Sequence, residues 1–179
     1  EWLHFKRIIP LHGIECVLEL GCGAGRWTFR LSPFVKKVVG VDFSENMILL
    51  AKAKQRKSVF HNIEFQVATA QNTHLNEHFD IIFLSGITSY LTDEQLHQTL
   101  YNIRKMLSPK GILVDRTSIS LENREVFDDN NYQGIYRTIE EEKSLFAEFG
   151  FQLAYRVPSY SRMRIPRLIN TNRLFHKIM

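Results

Sequence analysis

Residues 16–31, CVLELGCGAGRWTFRL, constrain this chain more than any other stretch. Val17, Leu18 and Leu20 form an apolar run that suits a buried strand and is too short for a helix. The run stops at Gly21-Cys22-Gly23-Ala24-Gly25, after which Ala24, Trp27 and Leu31 recur at helical spacing. A strand that feeds a glycine turn opening a helix lets a ligand approach the backbone, and the first N–H groups of that helix have no partner within it. A turn that merely packs a helix close to a strand would read the same way.

The spacing separates the ligands such a turn could serve. A phosphate loop would end in Gly-Lys-Ser/Thr, whereas Gly25 is followed by Arg26 and Trp27. A dinucleotide turn would place its third glycine at position 26, which is Arg. The pattern is G-x-G-x-G preceded by Glu19. Residues 37–43, KVVGVDF, then make a second apolar strand with Asp42 near its end, and Ser44 caps a helix on which Met47, Leu50, Ala51 and Ala53 give an apolar side. An acid at that strand tip can accept from both ribose hydroxyls, or it can simply favour the next helix dipole. The glycine turn upstream favours the ribose reading.

This combination resembles the class I S-adenosylmethionine-dependent methyltransferase family. The string MLSPKGILV is similar to that family's helix-turn-strand junction, and the resemblance spans residues 15–150. It implies an α/β fold: a Rossmann-like, doubly wound sheet of about seven strands, mostly parallel with an antiparallel last strand, and helices on both faces. It also implies S-adenosylmethionine as cofactor, held by Glu19, Gly21, Cys22, Gly23, Asp42, Phe43, Met47, Thr69, Ala70, Ser85, Gly86 and Tyr90. Phe43 and Met47 would wall the adenine or belong to the core. Family members frequently carry an Asp where this chain has Thr69, so the Thr69 hydroxyl, Gln71 or a backbone carbonyl could hold the adenine edge instead.

The rest of the chain supplies further elements. Residues 1–11 are amphipathic (Trp2, Phe5, Ile8, Ile9), and Pro10 ends or bends that helix. The first residue is Glu, so a preceding segment is expected. IEFQV (63–67) alternates as a third strand, and FDIIFL (79–84) is a continuous apolar fourth that leads into Ser85-Gly86 and Tyr90. His74 and His78 are four apart, but no third ligand accompanies them and no metal is expected. Thr92 caps a helix carrying Leu96, Leu100, Ile103 and Leu107, which Ser108–Gly111 breaks before a fifth strand. Asp115 and Arg116 in that strand either pair structurally or face the site. Residues 121–137 read as a loop or lid, making Glu122, Tyr132, Tyr136 and Arg137 candidates for acceptor contacts. Thr138 with Glu141 caps another helix bearing Leu145, Phe146 and Phe149, stopped at Gly150. FQLAYRV is a sixth strand, residues 158–171 an extended connection, and residues 173–179 the final strand.

With 179 residues, 44% hydrophobic and 23% charged, the chain suits one domain with its own core and is neither disordered nor fibrous. No apolar run reaches membrane-spanning length, and a strand separates the two cysteines, which suits a reducing cytoplasm. Residues 152–179 hold six basic side chains (Arg156, Arg162, Arg164, Arg167, Arg173, Lys177) and no acid, so the net charge of +4 comes from this tail. An acidic acceptor or an RNA would suit it, as would plain solvation.

The expected activity is methyl transfer to an oxygen or nitrogen of a small-molecule or glycan-like acceptor. The alternatives are an RNA or protein methyltransferase docking through the basic tail, and a binding protein that keeps the fold without catalysis. Should the acceptor need a base, His12, Asp115, Tyr132 and Tyr136 are the candidates.

Overall fold

Strands that read as apolar runs lie at the centre of the sheet, where both faces are covered, and the alternating IEFQV lies at its edge. The protein is described here by a computed structural model covering residues 2–9, 11–129, 132–160 and 169–178. The sheet is built from β1 (Cys16–Leu20), β2 (Lys37–Asp42), β3 (Ile63–Val67), β4 (Phe79–Ser85), β5 (Leu107–Ser120), β8 (Phe151–Tyr160) and β9 (Ile169–Ile178) in the order β3-β2-β1-β4-β5-β9-β8. The strands β3, β2, β1, β4 and β5 are parallel, and β9 runs antiparallel to β5 and β8 between them. The expected seven strands and antiparallel last strand are therefore present.

Alternate residues of the central strands feed two layers. Val17, Val38, Ile81 and Phe83 pack on α1 (Trp2–Ile8) and α2 (Arg26–Leu31) through Phe5, Ile9, Trp27 and Leu31. On that side Ile63 and Phe65 also meet Ile48 and Ala51 of α3 (Glu45–Arg56). Leu50, expected on the apolar side of α3, is exposed, because the helical period turns Ile48 and Ala51 inward instead. The other layer joins Leu18, Val39, Ile82 and Leu113 to α4 (Asp93–Met106) and α5 (Ile139–Ala147) through Leu96, Leu100, Ile103 and Phe146. Both α4 and α5 begin with complete capping boxes, Thr92 with Gln95 and Thr138 with Glu141.

Three expectations need correction. Both ends of the expected connection over 158–171 are strand, because β8 runs to Tyr160 and β9 begins at Ile169. Ser108–Gly111 does not separate α4 from β5; it lies within β5, as an irregularity where the pairing steps from Phe79↔Leu107 to Ile81↔Ile112. Residues 121–137 are not an unstructured loop. They contain an antiparallel pair, β6 (Glu125–Asp129) and β7 (Tyr132–Tyr136), joined in register from Glu125↔Tyr136 to Asp129↔Tyr132. The Asp-Asn-Asn cluster that suggests a loop falls at the junction of these strands, whose own apolar residues are few.

Pro10, Arg162, Arg164 and Arg167 lie outside the described residues, as do the side chains of Tyr132, Arg156, Arg173 and Lys177. Among the described residues no helix is long and apolar enough to cross a membrane.

Candidate active site

The strand order reverses between β1 and β4, and in open α/β sheets the crevice beyond the carboxyl ends at such a point takes the ligand. A cavity of about 580 Å³ opens there, within the roughly 300–1,000 Å³ typical of small-molecule sites. Gly21, Asp42, Phe43, Thr69, Ala70, Ser85, Gly86 and Tyr90 line it, together with Gln71. Leu20, Val41, Ala68, Ile87, Leu91 and Gln95 also line it, although nothing in the local sequence marks any of them as facing a ligand. Gln95 had a visible signal, but one that is explained by its place in the α4 cap.

Asp42 is the centre of the glycine turn's geometry. Gly23 N–H donates to its Oδ2 at 2.7 Å, and Ser44 N–H donates to its Oδ1 at 2.9 Å. Each carboxylate oxygen keeps a further lone pair. Three more N–H groups of the turn are engaged: Gly21 and Cys22 donate to Val41 O, and Gly25 to Cys22 O. These bonds tie the turn to β2. Gly21 and Gly23 have positive φ, 77° and 52°, a conformation that glycine adopts without strain.

Four expected site residues lie off the cavity lining. Cys22 is buried against Ile48, Ala51, Ile63 and Phe65, so its thiol is core. Met47 is exposed on α3, and Gly23 stands beside the cavity with open space where a Cβ would project. Phe43, three-quarters exposed, is a rim residue rather than core. Glu19, the fourth, is fully buried behind the turn, where Thr28 Oγ1 of α2 donates to its Oε2.

Burial pushes the Glu19 carboxyl up to about 7, against hydrogen bonds from Thr28 and Ser85. Folded Glu19 thus keeps its proton to a higher pH than the unfolded chain does. Its contribution to stability is full below about 4.5 and is lost as pH rises towards about 7. Glu19→Gln has no proton to lose. The unfolding free energy of the wild type relative to that variant is expected to fall by about 3 kcal/mol across this window. Denaturant titrations of both proteins at several pH values check this, and parallel pH profiles would contradict it.

The candidate bases fare worse. His12 lies four residues before β1, at the end of the sheet opposite the cavity. Asp115 is fully buried, with Thr88 Oγ1 donating to its Oδ1 at 2.7 Å, and it does not line the cavity. Arg137, expected at the acceptor, is also fully buried. Its Nε and Nη2 donate to Asp93 Oδ1 at 2.8 and 2.6 Å, its Nη1 to Thr88 O and its Nη2 to Leu91 O. Glu122 is exposed. Tyr136 is buried, stacks edge-on against Phe127 and lines a second cavity of about 150 Å³ with Gly86, Ser89, Tyr90, Arg116, Thr117 and Ser118. His74 and His78 are exposed outside any helix, and among the described residues no three His, Cys, Asp or Glu could hold a metal ion together.

The sheet order and the cavity at its reversal define a class I methyltransferase fold. A family model described as "Methyltransferase domain" matches residues 17–111, more than half of the chain, so the protein belongs to the methyltransferase-domain family. A demethylmenaquinone methyltransferase of Lactococcus lactis is 38% identical over 117 residues, 61% of this chain and 44% of that protein. A malonyl-[acyl-carrier protein] O-methyltransferase of Bacillus cereus is 35% identical over 103 residues, 56% of this chain and 36% of that protein. The chain thus spans less than half the length of these relatives. Among solved structures, an S-adenosylmethionine-dependent methyltransferase from Clostridium acetobutylicum superposes with a TM-score of 0.78 at 16% identity, covering 99% of this chain and 89% of that one. An O-methyltransferase from a Brevibacillus brevis polyketide multienzyme, in complex with S-adenosyl-L-homocysteine, gives 0.76 at 17% identity, covering 88% and 52%.

Proposed function

We propose that the chain binds S-adenosylmethionine in the larger cavity and transfers its methyl group to an oxygen or nitrogen of a small-molecule acceptor. The observation that carries this reading is the pairing of Asp42 with Thr69 in one hollow. Thr69 Oγ1 is buried without a hydrogen-bond partner, a costly state that a ligand's polar edge would relieve. The neighbouring carbonyls of Thr69 and Gln71 already accept bonds, from Asn72, Thr73 and Asn102, which favours the Thr69 hydroxyl or the Gln71 side chain as the adenine partner.

Asp42 would accept from the ribose hydroxyls, Phe43 and Ile87 would flank the base, and Gly21, Ser85 and Gly86 would receive the methionine end. Bound S-adenosylmethionine supplies a methyl group already activated on a sulfonium. The chain's part is to align the acceptor and keep water out, which the apolar Leu20, Val41, Ile87 and Leu91 walls favour. Demethylmenaquinone and malonyl-[acyl-carrier protein], the acceptors in the relatives' names, support an acceptor of small-molecule type.

Calorimetric titration with S-adenosylmethionine and S-adenosylhomocysteine tests the reading. Asp42→Ala is expected to weaken both by about 100-fold or more, because it removes charge-assisted bonds to two hydroxyls. Wild-type protein that takes up neither compound would end the proposal.

A further inference from the structure

We propose that the smaller cavity is the acceptor's anion subsite, and that the acceptor is a carboxylate methylated on its own oxygen. This inference rests on the methyltransferase reading above. The two cavities share Gly86 and Tyr90, so the smaller one adjoins the place assigned to the methionine end of the cofactor. Arg116 stands at the junction. A Cβ on Gly86 would lie 2.9 Å from Arg116 Nη1, and Gly86 has a φ of 85°. Glycine at that position lets the guanidinium cross the shared wall, and a side chain would push it away.

The remaining lining matches the same chemistry. Ser89 and Ser118 add hydroxyls to a lining that holds the planar Arg116 cation, a donor set that can receive a carboxylate. At about 150 Å³ the space equals roughly five water molecules, enough to take an acid group and the carbons that carry it. No carboxylate or imidazole is among the described residues that line it. An alcohol, phenol or ammonium acceptor must lose a proton to react; neither His12 nor Asp115 is placed to take one, and Tyr136 lines the cavity with no carboxylate or imidazole among the described lining residues to take its own proton. A carboxylate is already deprotonated at neutral pH. Its oxygen forms the new bond to the methyl carbon as the carbon–sulfur bond breaks. The electron pair passes to sulfur, and a methyl ester leaves with no proton released. Arg116 orients the acid through its second oxygen and so selects the substrate.

The experiment incubates the full chain and S-adenosylmethionine carrying a tritiated methyl group with malonate, glutarate and benzoate. The corresponding amides, a phenol and a primary amine serve as neutral or basic counterparts. Esters release volatile tritiated methanol in alkali, whereas ethers and methylamines do not. Alkali-labile label is expected with the acids alone. In parallel, glutarate is titrated calorimetrically into the complex with S-adenosylhomocysteine. Arg116→Gln is expected to bind S-adenosylhomocysteine as the wild type does while weakening glutarate about tenfold or more, with Arg116→Lys between them. Alkali-stable label, no label from any acid, or glutarate binding indifferent to Arg116→Gln would each overturn the inference while S-adenosylhomocysteine still binds. Failure of wild type to bind S-adenosylhomocysteine would overturn the methyltransferase reading itself and the inference with it.

Discussion

Arg137→Met is expected to lower the unfolding free energy by about 2–6 kcal/mol at neutral pH, because it strips the hydrogen bonds from two backbone carbonyls at about 1–3 kcal/mol each. Arg137 is fully buried, and its guanidinium satisfies the carbonyls of Thr88 and Leu91 while pairing with Asp93 at the first turn of α4. Desolvation alone would raise the Asp93 carboxyl, but hydrogen bonds from Arg124 and Arg137 outweigh it and hold the group below its usual range. Methionine would fill much of the volume yet orphan both carbonyls.

Two further carboxyls depend on the same cation. Burial raises Asp115 and Glu142, and the positive charge of Arg137 opposes both shifts. Removing Arg137 raises them further. The variant is therefore expected to recover part of its deficit as pH falls and both groups protonate. Chemical denaturation at pH 5 and 8 measures this; a deficit that is the same at both would show that the two acids do not sense Arg137. Because Thr88 and Leu91 bracket the loop that walls both cavities, the variant should also bind S-adenosylhomocysteine more weakly than wild type at a temperature where it remains folded.

Gly21→Ala carries the second large effect. Its Cβ would stand 2.1 Å from Ile87 Cγ2, a distance no packed atoms tolerate, and its φ of 77° already disfavours alanine. Backbone strain of about 1–2 kcal/mol and overpacking of about 1–3 kcal/mol give an expected destabilisation of about 2–5 kcal/mol. Ile87 can yield only by moving within the cavity wall it forms, so uptake of S-adenosylhomocysteine should fall in the same variant. Gly23→Ala separates the causes. It meets no atom within 4 Å, so only the strain remains, about 1–2 kcal/mol. Thermal melts of the two variants side by side, with equal losses of stability, would contradict the assigned clash.

Local patterns reached far into this fold. The apolar runs at Val17–Leu20 and Phe79–Leu84 became central strands because a strand covered on both faces needs apolar residues on both, with Glu19 and Asp80 as the exceptions. The Thr92 and Thr138 boxes started helices where their spacing said they would, because capping joins residues three apart. Asp42 at the tip of β2 and the glycine turn beside it were legible for the same reason: bonds that span a turn leave their signature in a short window.

Arg137 had no such signature. It sits among polar residues that suggest a surface contact, yet its partners Thr88, Leu91 and Asp93 lie 44 to 49 positions earlier, and the packing of β7 against Thr88–Tyr90 is what brings it to them. Glu19 shares the glycine motif but stands behind the turn, because the helix that follows folds back and places Thr28 over its carboxyl. Asp115 next to Arg116 could not be assigned from neighbours in sequence; the structure turns one to Thr88 and sets the other beside Gly86. Spacing along the chain established the parallel strands, the caps and the glycine turn, since each depends on a few adjacent residues, but not the β6–β7 pair. Which charges are buried and which face the cavities was settled by contacts between distant segments, because the cost of burying a charge depends on partners that only the folded chain brings together.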